Sequence, residues 1–121
     1  MPNSRQSSAG ASHILITVAK DADAATRSKT REQAEALLKD LKANPGRFAE
    51  LARSRSQDPG SASQGGDLGF FGRGMMVKPF EDTAFKLAKG ELSGVVETDF
   101  GYHILRLDDI KQPDFAAVKA E

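Results

Sequence analysis

Ala11-Ser12-His13-Ile14-Leu15-Ile16-Thr17-Val18 is the stretch on which the fold turns, because its side chains alternate with the period of an extended chain. In a strand, successive side chains point to opposite faces. Ile14, Ile16 and Val18 therefore share one face, and His13, Leu15 and Thr17 share the other. A second stretch of this kind closes the chain: Tyr102 to Ile110 alternates so that His103, Leu105 and Leu107 lie together. The chain has two histidines, one in each of these predicted strands. Each is out of phase with the aliphatic residues beside it, which makes the two candidate neighbours.

The segments between them read as helices and turns. Lys20 to Lys29 is charged and loop-like, and Thr30-Arg31-Glu32-Gln33 has the capping-box form that predicts a helix start. Ala34, Leu37, Leu38 and Leu41 then fall at helical spacing, giving one buried stripe, and Asn44-Pro45-Gly46 ends it. A second short helix carries Phe48, Leu51 and Ala52. From Gln57 to Gly74 the composition shifts, with Gly60, Gly65, Gly66, Gly69, Gly72 and Gly74 set around Leu68, Phe70 and Phe71. Glycine at this density implies tight turns or close backbone approach. Pro79 suits the first turn of a helix containing Phe80, Ala84, Phe85 and Leu87, with Gly90 as its terminator. Val95 to Thr98 reads as a strand and Asp99-Phe100-Gly101 as a tight turn. The order is strand, two helices, strand, helix and strand hairpin, without an internal repeat. That order predicts an α+β fold, an antiparallel or mixed sheet with helices packed on it.

At 121 residues the chain has room for one ordinary domain. Apolar residues make up 39% and charged residues 28%, a globular balance. The 17 basic and 17 acidic residues cancel, which argues against nucleic acid or a charged membrane surface as partner. With no cysteine, a disulfide framework, a thiolate zinc site and a thiol nucleophile are all excluded. No apolar run approaches the ~18 residues of a spanning helix, and the N-terminus lacks a signal-peptide stretch. Residues 1–10 are polar and serine-rich and read as a linker outside the fold. The expected domain is residues 11–111, with residues 112–121 as a tail.

Ala11-Ser12-His13-Ile14-Leu15, Gly65-Gly66-Asp67-Leu68-Gly69, Lys78-Pro79-Phe80-Glu81 and Phe100-Gly101-Tyr102-His103-Ile104 occur in the order found in parvulins. Over roughly Ala11 to Ile110 the chain resembles the parvulin-type prolyl isomerases. The resemblance implies a four-stranded sheet surrounded by helices, the FKBP-like superfold, with a shallow site on its concave face that receives a proline ring. It implies no cofactor and no metal. It implies acceleration of cis/trans rotation about X-Pro bonds in unfolded or folding proteins, which would be the partners. The isolated domain is expected to be monomeric. By the same resemblance Leu68, Met76 and Phe80 surround the proline ring, with Phe71 in the core beneath. His13 and His103 lie on adjacent central strands and share a hydrogen-bond network with the hydroxyl of Thr98. Periodicity alone leaves the apolar residues as ordinary core. The histidines stand open between a structural role and a direct electronic one.

The chemistry asks for little beyond a shaped site. Isomerisation breaks no σ bond, and the obstacle is an amide-resonance barrier of about 18–20 kcal/mol. In the twisted state conjugation is lost and charge separation falls, so an apolar pocket that strips water favours it over the planar state. Asp58 departs from those parvulins that carry a cysteine nearby, and covalent catalysis is thereby excluded. A carboxylate near the substrate carbonyl is consistent with an amide losing polarity, though Asp58 also suits a turn cap before Pro59. Asp67 is expected to hold the glycine turn through bonds to backbone.

Some parvulins select a phosphorylated residue before proline through adjacent arginines after the first strand. Here Arg27, Lys29 and Arg31 are spaced apart and diluted by Asp21, Asp23 and Glu32, so no strong phosphate requirement is expected. Residues 112–121 resemble the start of the helix that continues from parvulin domains in bacterial foldases. The similarity is strongest to the SurA-like, PpiD-like and PrsA-like group, implying a periplasmic or cell-envelope location. Two rival functions remain: a peptide-binding module of a larger chaperone that scarcely catalyses, and a metal-dependent enzyme using the histidines with Asp58 or Asp67.

Overall fold

The computed structural model describes residues 8–72 and 74–111. Strands β1 (Ser8–Thr17), β2 (Asp67–Phe71), β3 (Leu92–Thr98) and β4 (Gly101–Lys111) form one sheet in the order β2-β1-β4-β3, with every pair antiparallel. Helices α1 (Ala24–Ala43), α2 (Phe48–Arg55), α3 (Pro59–Ala62) and α4 (Lys78–Lys86) pack around it. The two histidine-bearing strands are thus the central pair. Among the described residues no helix is long and apolar enough to cross a membrane.

Alternation in β1 and β4 divides the molecule into two cores. Ile14 and Ile104 point to the face covered by α1 and α2, where they meet Leu37, Leu38, Leu41 and Phe48. These helical residues are the stripe and the aromatic that the sequence spacing marks. Leu105 and Leu107 point the other way, to Phe71, Phe80 and Ala84 under α4. His13 and His103 share that second face.

Several boundaries differ from the sequence reading; β3, for one, begins at Leu92 rather than Val95. β1 begins at Ser8 rather than Ala11, because Ser8, Ala9 and Gly10 pair with Lys111, Ile110 and Asp109 of β4. Small residues there carry no periodic signal, yet the Phe70 ring lies where a Cβ on Gly10 would sit within 3.0 Å of it. α1 begins at Ala24, and Asp23 is its cap, accepting from the Thr26 N–H at 2.8 Å. The expected capping residue, Thr30, is inside the helix and donates its hydroxyl to the Thr26 carbonyl at 2.9 Å. Leu87 is the C-cap of α4 rather than part of it, and Gly90 takes a φ of 83° in the turn beyond. The readings of residues 1–7 as linker and 112–121 as tail fall outside the described residues.

Candidate functional site

β1 and β4 are in the register that pairs His13 with Leu105 and Leu15 with His103, so the imidazoles are diagonal neighbours. Their Nδ1 atoms are 3.1 Å apart and the rings stack at 5.2 Å between centroids. The outer nitrogens are also engaged. His13 Nε2 lies 2.7 Å from Asp58 Oδ2, and His103 Nε2 lies 2.7 Å from the Thr98 hydroxyl. Thr98 Oγ1 in turn accepts from the Phe100 N–H at 3.1 Å.

A carboxylate can only accept, so His13 must carry a proton on Nε2. With both rings neutral, one direction satisfies every contact: Thr98 donates to His103 Nε2, His103 Nδ1–H donates to His13 Nδ1, and His13 Nε2–H donates to Asp58. With both rings protonated, two N–H groups would face each other across 3.1 Å. Burial, aided by the charge of a protonated His13 and opposed by Asp58, lowers the pKa of His103 to about 4. His103 is therefore neutral near pH 7. All four ring nitrogens are committed to these partners, and among the described residues no cluster of three metal-ligating side chains occurs.

Asp58 is placed by α3, a single turn that the sequence reading did not resolve. Pro59 opens that turn and Asp58 caps it, accepting from the Gly60 N–H at 3.2 Å and from the Ser61 hydroxyl at 2.7 Å. Burial pushes the Asp58 pKa up, but the bonds from Ser61 and His13, the His13 charge and the Gly60 N–H together hold it below the usual carboxylate value. Asp58 is thus the turn cap expected before Pro59, and the same carboxylate meets His13 and lines the cavity. Asp67 stands apart from the network and accepts from the Gly69 N–H at 2.8 Å, fixing the glycine turn.

Phe80 stands edge-on to both imidazoles, 5.4 Å from His13 and 5.3 Å from His103 between centroids, with Phe71 behind it at 6.0 Å. Above them opens a cavity of about 370 Å³ lined by His13, Asp58, Leu68, Met76, Phe80 and His103. Six of the seven residues singled out in the sequence converge on it. The seventh, Thr98, reaches it through His103 and lines the neighbouring cleft. Sequence reasoning missed Leu15, Met75, Val77 and Phe100, which complete the wall. Met75 and Phe100 are 70% and 58% exposed, so their apolar surface forms an open rim. The available signal was an aromatic in a tight turn and a Met-Met pair after glycine, neither of which needs burial to be stable.

The adjoining cleft, about 590 Å³, is lined by Lys20, Arg27, Glu97 and Asp99 and shares Val77 with the first. Its cations are taken up locally. Arg27 pairs with Glu97 at 3.1 Å and also donates to the carbonyls of Ala19, Lys20 and Ala22, while Lys20 lies 3.9 Å from Asp99. Arg31 points to Glu35 on α1.

An open, largely apolar cavity floored by two hydrogen-bonded imidazoles on the central strands of an antiparallel sheet defines a parvulin-class site. Comparison with known proteins agrees: residues 2–111 match the PPIC-type PPIase domain, and the chain belongs to that family of peptidyl-prolyl cis-trans isomerase domains. It is 48% identical over 113 residues to the foldase protein PrsA of Geobacillus kaustophilus, covering 92% of this chain and 35% of that protein. A crystal structure of a PpiC-type peptidyl-prolyl cis-trans isomerase domain superposes with a TM-score of 0.80 at 26% identity, covering 91% of this chain and 96% of that one. A SurA-like chaperone structure from Campylobacter jejuni, described with the virulence factor PEB4 and the periplasmic protein Cj1289, gives 0.75 at 34% identity, covering 96% and 45%. The chain spans about a third of the length of the PrsA foldases it matches.

Proposed function

We propose that this domain speeds rotation about X-Pro bonds in unfolded or folding protein segments by a non-covalent route, with Leu68, Met76 and Phe80 holding the proline ring. The observation that carries the reading is the edge-on Phe80 ring against two stacked imidazoles, because it closes an apolar floor beside His103, a ring that burial keeps neutral near pH 7. A dipolar planar amide loses its water on entering such a site, while the twisted, less dipolar amide loses less. The hydrogen bonds of His13, His103 and Thr98 keep the floor rigid, the buried His103 ring adds no cation to it, and Asp58 places negative charge at one wall, where it opposes charge on the amide oxygen. The site residues thus act on the amide without bonding to it.

The substrates follow from the open rim: an extended proline-containing segment can enter, whereas a proline held in a folded core cannot. A location outside the cytoplasm, periplasm or cell envelope, is supported by the PrsA and SurA-like relatives. The isolated domain acts as a monomer. The test is exchange NMR on a short Ala-Pro peptide with catalytic amounts of the domain. Cis/trans exchange cross-peaks that grow in proportion to added domain support isomerisation; line broadening on binding without faster exchange would make the domain a peptide-holding module instead.

A further inference from the structure

Phe80 and Ala84 on the inner face of α4 are core residues, and the residue between them in that face is Glu81, a carboxylate only 9% exposed. A buried charge is costly unless it is hydrogen-bonded, so a carboxylate at a core-facing position calls for a partner. Its Oε1 accepts the backbone N–H of Gly74, four residues before the helix, where φ is 90°. A charge-assisted bond of this kind is among the stronger contacts available to a loop, and the first turn of α4 favours the anion further. The connection between β2 and α4 that Glu81 grips is the one that carries Met75, Met76 and Val77 into the cavity. Among its described residues it has no ladder or helix of its own. Within the connection itself the Met75 N–H reaches the Gly72 carbonyl at 3.4 Å and the Gly72 N–H reaches the Met75 sulfur at 3.4 Å, both weaker holds than a charge-assisted bond.

We propose that Glu81 is a positioning residue for the isomerase site: its carboxylate clasps Gly74 and thereby sets where Met76 and Val77 stand against the proline ring. Phe80, the neighbouring residue, forms the floor from the same helix, so one turn of α4 fixes floor and wall together. Losing the clasp leaves the chemistry of the network intact and loosens the binding wall. KM should then rise while kcat changes little.

The proposal rests on the isomerase reading for its kinetic arm alone. The test compares the native domain with Glu81→Met, close in volume but unable to accept, and Glu81→Gln, whose amide oxygen can. For an Ala-Pro peptide, Glu81→Met is expected to raise KM at least fivefold with kcat within twofold, and Glu81→Gln to stay within about threefold in KM. A kcat loss without a KM change, equal damage in both variants, or native kinetics in Glu81→Met would overturn it. The second arm needs no turnover and no variant. The Gly74 amide of the native domain should exchange with solvent at least tenfold more slowly than an unprotected glycine, and exchange at the unprotected rate would overturn the clasp directly.

Discussion

The pocket assignments make distinct demands on Met76 and Phe80. Phe80 touches both imidazoles and Phe71 and is nearly inaccessible, so Phe80→Ala forfeits the floor of the site and also costs about 3–5 kcal/mol of stability. Met76 is only partly buried and walls the cavity from a loop. Per folded molecule, kcat/KM should fall more than tenfold in Phe80→Ala and by a smaller factor in Met76→Ala, whose melting temperature should hardly move. Turnover measured against the folded fraction by circular dichroism checks this, and an undiminished rate in either variant removes that residue from the site. The strand phase of the two histidines was legible in their neighbours Ile14 and Leu105. Their Nδ1 contact was not, because it depends on a diagonal register between strands ninety residues apart in the chain. Nothing local to either strand encodes that register.

At the scale of elements, two connections set what the site accepts and whether it forms. The β1–α1 connection offers three carbonyls to Arg27 of α1, which also pairs with Glu97, while Arg31 pairs with Glu35 one turn along the helix. A phosphate would have to break those bonds before it gained its own. A phosphoserine-proline peptide is therefore expected to turn over no more than a few-fold better than its Glu-Pro counterpart, whereas a real arginine cluster would give far more. A hundredfold preference in the same exchange assay would disprove this. The second connection is the Gly65-Gly66 turn before β2. Gly66 has a φ of 86°, its carbonyl accepts the His13 N–H at 2.9 Å, and an added Cβ would run into the His13 carbonyl oxygen. Gly66→Ala should consequently lose the cooperative melting transition, or lower its midpoint by well over 10 °C, by forcing β1 away from the turn. A melt like the native one would show that the strand does not need this approach. The glycine density of residues 57–74 announced such contacts. α3 within it stayed hidden because a single turn has no period to detect, and the start of α1 was misplaced because Thr30-Arg31-Glu32-Gln33 satisfies a cap pattern that Asp23 fills first.

For the whole molecule, the buried imidazole pair couples folding to acidity. In the unfolded chain His103 titrates near 6.5, and in the folded domain burial and His13 bring it to about 4. Above pH 6.5 the ring is neutral in both states and stability is unaffected. Between pH 6.5 and 4 the unfolded chain binds a proton that the folded domain refuses, so stability falls as pH falls. A difference of that size amounts to about 3 kcal/mol by pH 4, a large share of what a domain this small has to lose. Asp58 acts lower on the scale. Its pKa is depressed by folding, so its contribution is present above the usual carboxylate value and is lost only as pH drops through that range and below. The expected profile has two stages: a decline led by His103 from about pH 6.5 to 4, then a further loss as Asp58 takes up its proton and releases His13 and Ser61. Urea denaturation at intervals between pH 7.5 and 3.5 measures it, with ring NMR of His103 alongside. The His103 resonances should stay in their neutral form to about pH 5 while the urea midpoint is already falling. If the ring titrates near 6.5 with a flat midpoint, burial does not hold it neutral. The floor of the proline cavity would then carry a positive charge at mildly acidic pH, and a site selecting the less polar amide would lose its basis there.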